Sequence, residues 1–233
     1  MTEPSPQPLL RVRHLEGPWF NPVSFDVLPG RGVLVHCADG EALDSLLDII
    51  SGLAPPGAGG VEWFGTDPHA VSEAARHKLR QQTGYATAGA GLISNLKIWE
   101  NIVLPMQARG LASTGAEIEQ LEARMVDVFV AAGYHEDWIG MNLRESVDLL
   151  DDFERIVCCI ARSYLAGFRL LVADGLFGGI DSVRTARLAG LLDWVGARMP
   201  DSGLLLLHQG RAGDGAFGLR TWQPVETVSL EPR

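Results

Sequence analysis

The chain has 233 residues, 46% of them hydrophobic and 21% charged, which suits one sizeable globular domain. Its net charge of −10 argues against nucleic acid or an anionic membrane surface as the main partner. Three cysteines, two of them adjacent (Cys158, Cys159), make no disulfide framework and point to a reducing cytosol. The opening MTEPSPQP shows no signal peptide, and no apolar run approaches the ~20 residues that span a bilayer.

Leu9 to Leu15 and Val23 to Leu28 read as antiparallel strands, closed by a Pro29-Gly30 turn. A buried strand from Gly32 to Cys37 leads through a tight loop into an amphipathic helix that ends at Gly52. Beyond the break Pro55-Pro56-Gly57 come a short strand (Gly60 to Phe64), a polar helix (Ser72 to Gln82) and another short strand (Gly84 to Ala88). From Gly89 to about Ser163 the periodicity is helical. It is clearest over Glu117 to Ala132, where Ile118, Leu121, Met125, Val128 and Phe129 share one face. Arg169 to Ala173 suits a central parallel strand, Ser182 to Met199 a helix, and Gly203 to Leu207 a second buried strand. The tail from Phe217 carries one or two edge strands. This alternation predicts a single α/β domain over 1–233 with a mainly parallel sheet, helices on both faces and a helical insert at about 91–163. Residues 1–8 are expected to be flexible.

Strand, glycine loop and helix also frame a phosphate-binding loop, G-x-x-x-x-G-K-[ST], in which backbone N–H groups at a helix start hold an anion. On that frame Cys37 takes the place of the first glycine and Gly40 lies inside the loop. Ala42 replaces the last glycine, Leu43 the lysine and Asp44 the hydroxyl residue, with Ser45 after it. Leucine makes none of the charge-assisted bonds that a lysine gives a phosphate. Asp44, placed by this frame in the first helical turn, is read as a built-in anion that accepts the loop N–H groups and holds the loop closed. The histidines show no zinc-ligand spacing, so no metal site is expected.

Together these landmarks resemble the nucleotide-binding subunit of ABC transporters over nearly the whole chain. VSFDVLPG from Val23 to Gly30 is similar to the strand and turn before the Walker A loop. LLDIISGLAPPGAGGVEWFGTDP from Leu46 to Pro68 is similar to the segment after it. LRQQTGYATAGAGLISNLKIWENIVLP, from Leu79 to Pro105, resembles the Q-loop region, and its wording is nearest to subunits of the Mce/Mla type, whose family role is lipid traffic. IARSYLAGFRLLVADGLFGGID, from Ile160 to Asp181, parallels the signature helix, the Walker B strand and the D-loop.

The resemblance implies a P-loop NTPase-like (ABC ATPase) core with an antiparallel β subdomain and a helical subdomain. It also shows which functional groups differ. Ala88 stands at the Q-loop glutamine. Leu150-Asp151-Asp152-Phe153-Glu154 stands for LSGGQ, and Gly175 stands at the catalytic glutamate. Asp174 remains at the Walker B aspartate, Asp181 at the D-loop aspartate and His208 at the switch histidine. With its partners gone, Asp174 reads more readily as a loop cap, and His208 as a satisfied strand-end histidine. Trp19 or Phe20 is the candidate for the base-stacking aromatic.

The function expected on this resemblance is that of a degenerate, non-hydrolysing subunit, structural or regulatory, in a membrane transport complex. The alternative is a subunit of weak nucleotide affinity in a heterodimer. No cofactor is expected beyond weak binding of ATP with Mg²⁺. The expected partners are a permease, through the region from Leu92 to Met106, and an intact ABC ATPase or a second copy of this chain. Its expected place is cytoplasmic, peripheral on the inner face of the membrane.

Overall fold

The computed structural model describes residues 6–87, 91–111, 114–210, 217–223 and 225–233. Strands β1 (Leu10–Glu16), β2 (Val23–Val27) and β4 (Ala58–Trp63) form an antiparallel sheet in the order β2-β1-β4. Their alternation turns Leu10, Val12, Phe25, Val27, Val61 and Trp63 inward, and Leu10 pairs with both Val27 and Trp63. Leu9 and Pro8 are already buried, while residues 1–5 lie outside the described residues.

The central sheet has five strands in the order β5-β6-β7-β3-β8. They are β5 (Thr83–Thr87), β6 (Leu170–Asp174), β7 (Gly203–Gln209), β3 (Gly32–Cys37) and β8 (Val225–Ser229), each parallel to its neighbours. Successive residues supply opposite faces. Val33, Val35, Cys37, Val172, Leu205 and Leu207 join the core under the antiparallel sheet. Leu34, Leu171, Ala173, Leu204 and Leu206 join the core on the other side, with the helices. A sheet buried on both faces is why GVLVHC and GLLLLHQ read as apolar runs rather than alternations.

The helices are α1 (Gly40–Ile50), α2 (Glu73–Arg80), α3 (Ile98–Ala108), α4 (Gly115–Ala131), α5 (Glu136–Asn142), α6 (Asp152–Ala166) and α7 (Ser182–Arg198). The predicted helix over Glu117 to Ala132 is α4, started by a Thr114–Glu117 capping box. Its Leu121, Met125, Val128 and Phe129 are buried, whereas Ile118 is only half-buried. Helix α6 lies against β5 at Gly84, where a Cβ would come within 2.7 Å of the Ser163 Cβ. Glycine there sets how closely helix and edge strand approach. The tail strand is β8, hydrogen-bonded to β3 at the other edge.

Candidate functional site

The phosphate-loop frame is present as strand β3, a turn and helix α1, but the helix starts sooner than the sequence frame placed it. Asp39 is the N-cap, and its Oδ1 accepts from the Glu41 N–H at 2.9 Å. A short polar side chain at that position satisfies an N–H that would otherwise face an anion. The turn is closed from the other side as well. The Asp39 N–H donates to Cys37 Sγ at 3.4 Å, Gly210 N–H to the Cys37 carbonyl at 2.9 Å, and Gln209 Nε2 to the Ala38 carbonyl at 3.4 Å. The Gln209 side chain sits over Gly40, 3.4 Å from where a Cβ would be.

An early helix start fixes the direction of each side chain after it. Ala42 and Leu43 are buried with Leu46, Ile49 and Ile50 on the apolar stripe of α1. The lysine position therefore faces the core. Asp44 is exposed, two residues past the four N–H groups that a helix start leaves without partners. The expectation that Asp44 caps the loop is thus corrected: Asp39 does so, because it immediately precedes the helix and Asp44 lies inside it. Asp44 instead acts on Asp174, at the end of β6. Burial raises the Asp174 pKa above the ordinary carboxylate value, and the Asp44 charge raises it further.

The other positions singled out in the sequence have local structural partners. Gly175, at the catalytic-glutamate position, has φ +65° and donates its N–H to the Leu207 carbonyl at 3.0 Å. Asp181 is the N-cap of α7, accepting from the Arg184 N–H at 2.8 Å. The His208 ring meets the Phe217 ring edge-on at 5.2 Å, and Phe217 stacks on Phe177 at 3.8 Å. At the signature position Asp151 caps α6 in a reciprocal box with Glu154, and Arg184 ion-pairs with Asp151 at 2.5 Å. Two N–H groups at the N-terminus of α6, those of Asp151 and Glu154, are thereby satisfied within the chain. Ala88 lies outside the described residues.

Of the two aromatic candidates, Phe20 is fully buried and bridges to Pro232, whereas Trp19 is 51% exposed. Trp19 borders an open cleft of about 480 Å³ with Pro18, Glu41, Asp44, Ser45 and Asp48. Three carboxylates thus share the rim of this cleft.

Asn101 was not singled out in the sequence. It is buried, accepts from the Ile93 N–H at 2.6 Å, and donates to the carbonyls of Ile93, Leu96 and Lys97. One side chain therefore clasps the loop before α3. Nothing in single-sequence periodicity marks it, since it sits among the apolar residues of IWENIVLPM.

The fold is that of an ABC ATPase cassette. The dimeric bacterial ABC transporter cassette MJ0796 superposes with a TM-score of 0.75 at 17% identity, over 94% of each chain. A post-hydrolysis form of the same cassette, bound to ADP and Pi, gives 0.74 over 95% of this chain and 94% of that one, also at 17% identity. No protein-family model matches the chain.

The homologues of this chain are ATP-binding subunits of ABC transporters. It is 27% identical to a lipoprotein-releasing system ATP-binding protein, LolD 1 of Rhodopirellula baltica, covering 73% of this chain and 70% of that one. It is 25% identical to the phosphonates import ATP-binding protein PhnC of Frankia casuarinae, covering 87% and 81%.

These findings correct one expectation. The relatives are ATP-binding proteins and a fold neighbour holds ADP and Pi, so nucleotide is the cofactor that goes with this fold, and the expectation of none is overturned. The residues present fit the base end of such a cofactor better than its phosphates. Trp19 offers an aromatic face, but Asp39 takes up the Glu41 N–H at the start of α1 and Leu43 lies in the core.

Proposed function

We propose that this chain is the ATP-binding-type subunit of an ABC transport complex that retains nucleotide at reduced affinity without hydrolysing it, and serves a structural or regulatory role beside a hydrolysing partner. The observation that carries this reading is that both helix N-termini which would hold phosphate are capped by the chain's own carboxylates, Asp39 on α1 and Asp151 on α6. A composite site needs both. The region 92–106 is the proposed contact with a permease. Ile93 and Leu104 are 44% and 38% exposed there, on a segment that the Asn101 clasp holds in place. The partner subunit would be an intact ABC ATPase or a second copy of this chain.

Among the described residues no helix is long and apolar enough to cross a membrane, so the proposed place is peripheral, on the inner face. Lipid traffic is the proposed cargo class, supported by the Q-loop wording and by a lipoprotein-releasing relative. The test is ATP turnover with Mg²⁺ on the purified chain, beside a fluorescent-nucleotide titration. The expected result is nucleotide-dependent fluorescence with no phosphate release above the buffer blank. Turnover that disappears in Asp174→Asn would overturn the reading.

A further inference from the structure

Beside the first residues of the edge strand β5 lies a cleft of about 400 Å³, walled by α2, β5 and the ends of α3 and α6. It is set apart from the phosphate-loop frame, which follows the last residue of β3. Pro105, Ala108, Ala166 and Phe168 give it apolar walls, and Arg80, Arg109 and Arg162 bring three guanidinium groups to it. Arg80 is paired, with Glu73 at 3.3 Å. The other two meet only neutral acceptors among the described residues. Arg109 Nη2 donates to the Ala166 carbonyl, while its buried Nε has no hydrogen-bond partner. Arg162 donates to the Gly91 carbonyl and to Cys159 Sγ. Two cations without carboxylates, in a chain of net charge −10, are an unusual arrangement. A partly buried guanidinium with an orphaned N–H is stabilised most by an anion that accepts from it.

We propose that this cleft binds a small amphiphilic anion, with one carboxylate or phosphate head between Arg109 and Arg162 and an apolar body against Pro105, Ala108 and Phe168. Its size falls in the range of small-molecule sites, and its make-up matches them: apolar walls with a few convergent polar groups. The consequence is regulatory. Arg109 caps the C-terminus of α3 and Arg162 stands on α6, so one anion ties both helices to the edge of the central sheet. The loop clasped by Asn101 leads directly into α3, so ligand in the cleft would steady the segment 92–106. The proposal stands independently of nucleotide chemistry, and the outcome of the turnover assay does not bear on it.

The test is isothermal titration of the full chain with decanoate and with octyl phosphate, using octan-1-ol and inorganic phosphate as the head-less and body-less controls. Both amphiphiles are expected to bind with one-site stoichiometry, and each control about tenfold or more weaker. Whichever amphiphile binds tighter identifies the head as carboxylate or phosphate. Arg162→Gln is expected to weaken both by about tenfold or more. Ala108→Phe adds bulk to the cleft wall from an exposed position that the fold does not depend on, and is expected to abolish binding at an unchanged melting temperature. The proposal is overturned if neither amphiphile binds, if octan-1-ol or inorganic phosphate binds as tightly, or if Ala108→Phe binds like the parent.

Discussion

Asp39 and Asp44 stand one helical turn or so apart and act on different partners, which a pair of substitutions separates. Asp39→Ala removes the side chain that satisfies the Glu41 N–H, and is expected to cost about 0.5–2 kcal/mol of stability. Asp44→Ser touches an exposed position and relieves a like charge beside Asp174, so it should leave stability within about 0.5 kcal/mol of the parent or raise it. Chemical denaturation of the two variants checks both; a large loss in Asp44→Ser would return the capping role to that residue. Asp174 also has a pH signature. Its folded pKa lies above the unfolded value, so the folded state binds this proton more tightly. The stability it contributes is therefore present at acid pH and is lost as pH rises through the raised folded pKa. Between about pH 4 and 7 the melting temperature of Asp174→Asn should fall less than that of the parent. Glu154 is raised in the same direction by burial, but it is present in both proteins and leaves the comparison intact.

At the scale of elements, most helix starts among the described residues are written in the sequence as capping residues: Asp39, Ser72, Thr114, Asp151 and Asp181 each accept a hydrogen bond from the first turn. The loop before α3 is held otherwise, by the long reach of Asn101 from inside the helix. Asn101→Leu would leave the Ile93 N–H and the carbonyls of Ile93, Leu96 and Lys97 without that partner. The expected cost is about 1–3 kcal/mol, together with faster hydrogen exchange across 93–97. A variant that melts like the parent with unchanged exchange would show that the loop is held by other contacts.

On the scale of the whole molecule, the proposed contact with a permease makes a prediction about association rather than stability. Asn95 and Lys97 are exposed on the clasped loop, so Asn95→Lys and Lys97→Glu should melt with the parent. They are expected to lose co-purification with the membrane partner, because charge placed against a complementary surface weakens docking. Unchanged co-purification in both variants would place the contact elsewhere.

The sequence by itself determined the order of elements and the layering. Apolar runs such as GVLVHC and GLLLLHQ are buried on both faces, and short-range periodicity is a direct consequence of that burial. It also determined which residues stand in the phosphate-loop frame, Leu43 and Asp44 among them, since residue identity is a matter of composition at a position. The tertiary structure alone decided where the remaining charges act. The start of α1 depends on Asp39 out-competing the loop geometry, and the closure of its turn on Gln209, 171 residues along the chain from Ala38, donating to the Ala38 carbonyl. Asp44 acts on Asp174 only because β6 and β3, which leads into α1, flank β7 in the central sheet. Arg109 and Arg162 likewise share a cleft only because Gly84 lets α6 lie close on β5. Such pairings are long-range, and a local pattern carries no record of them.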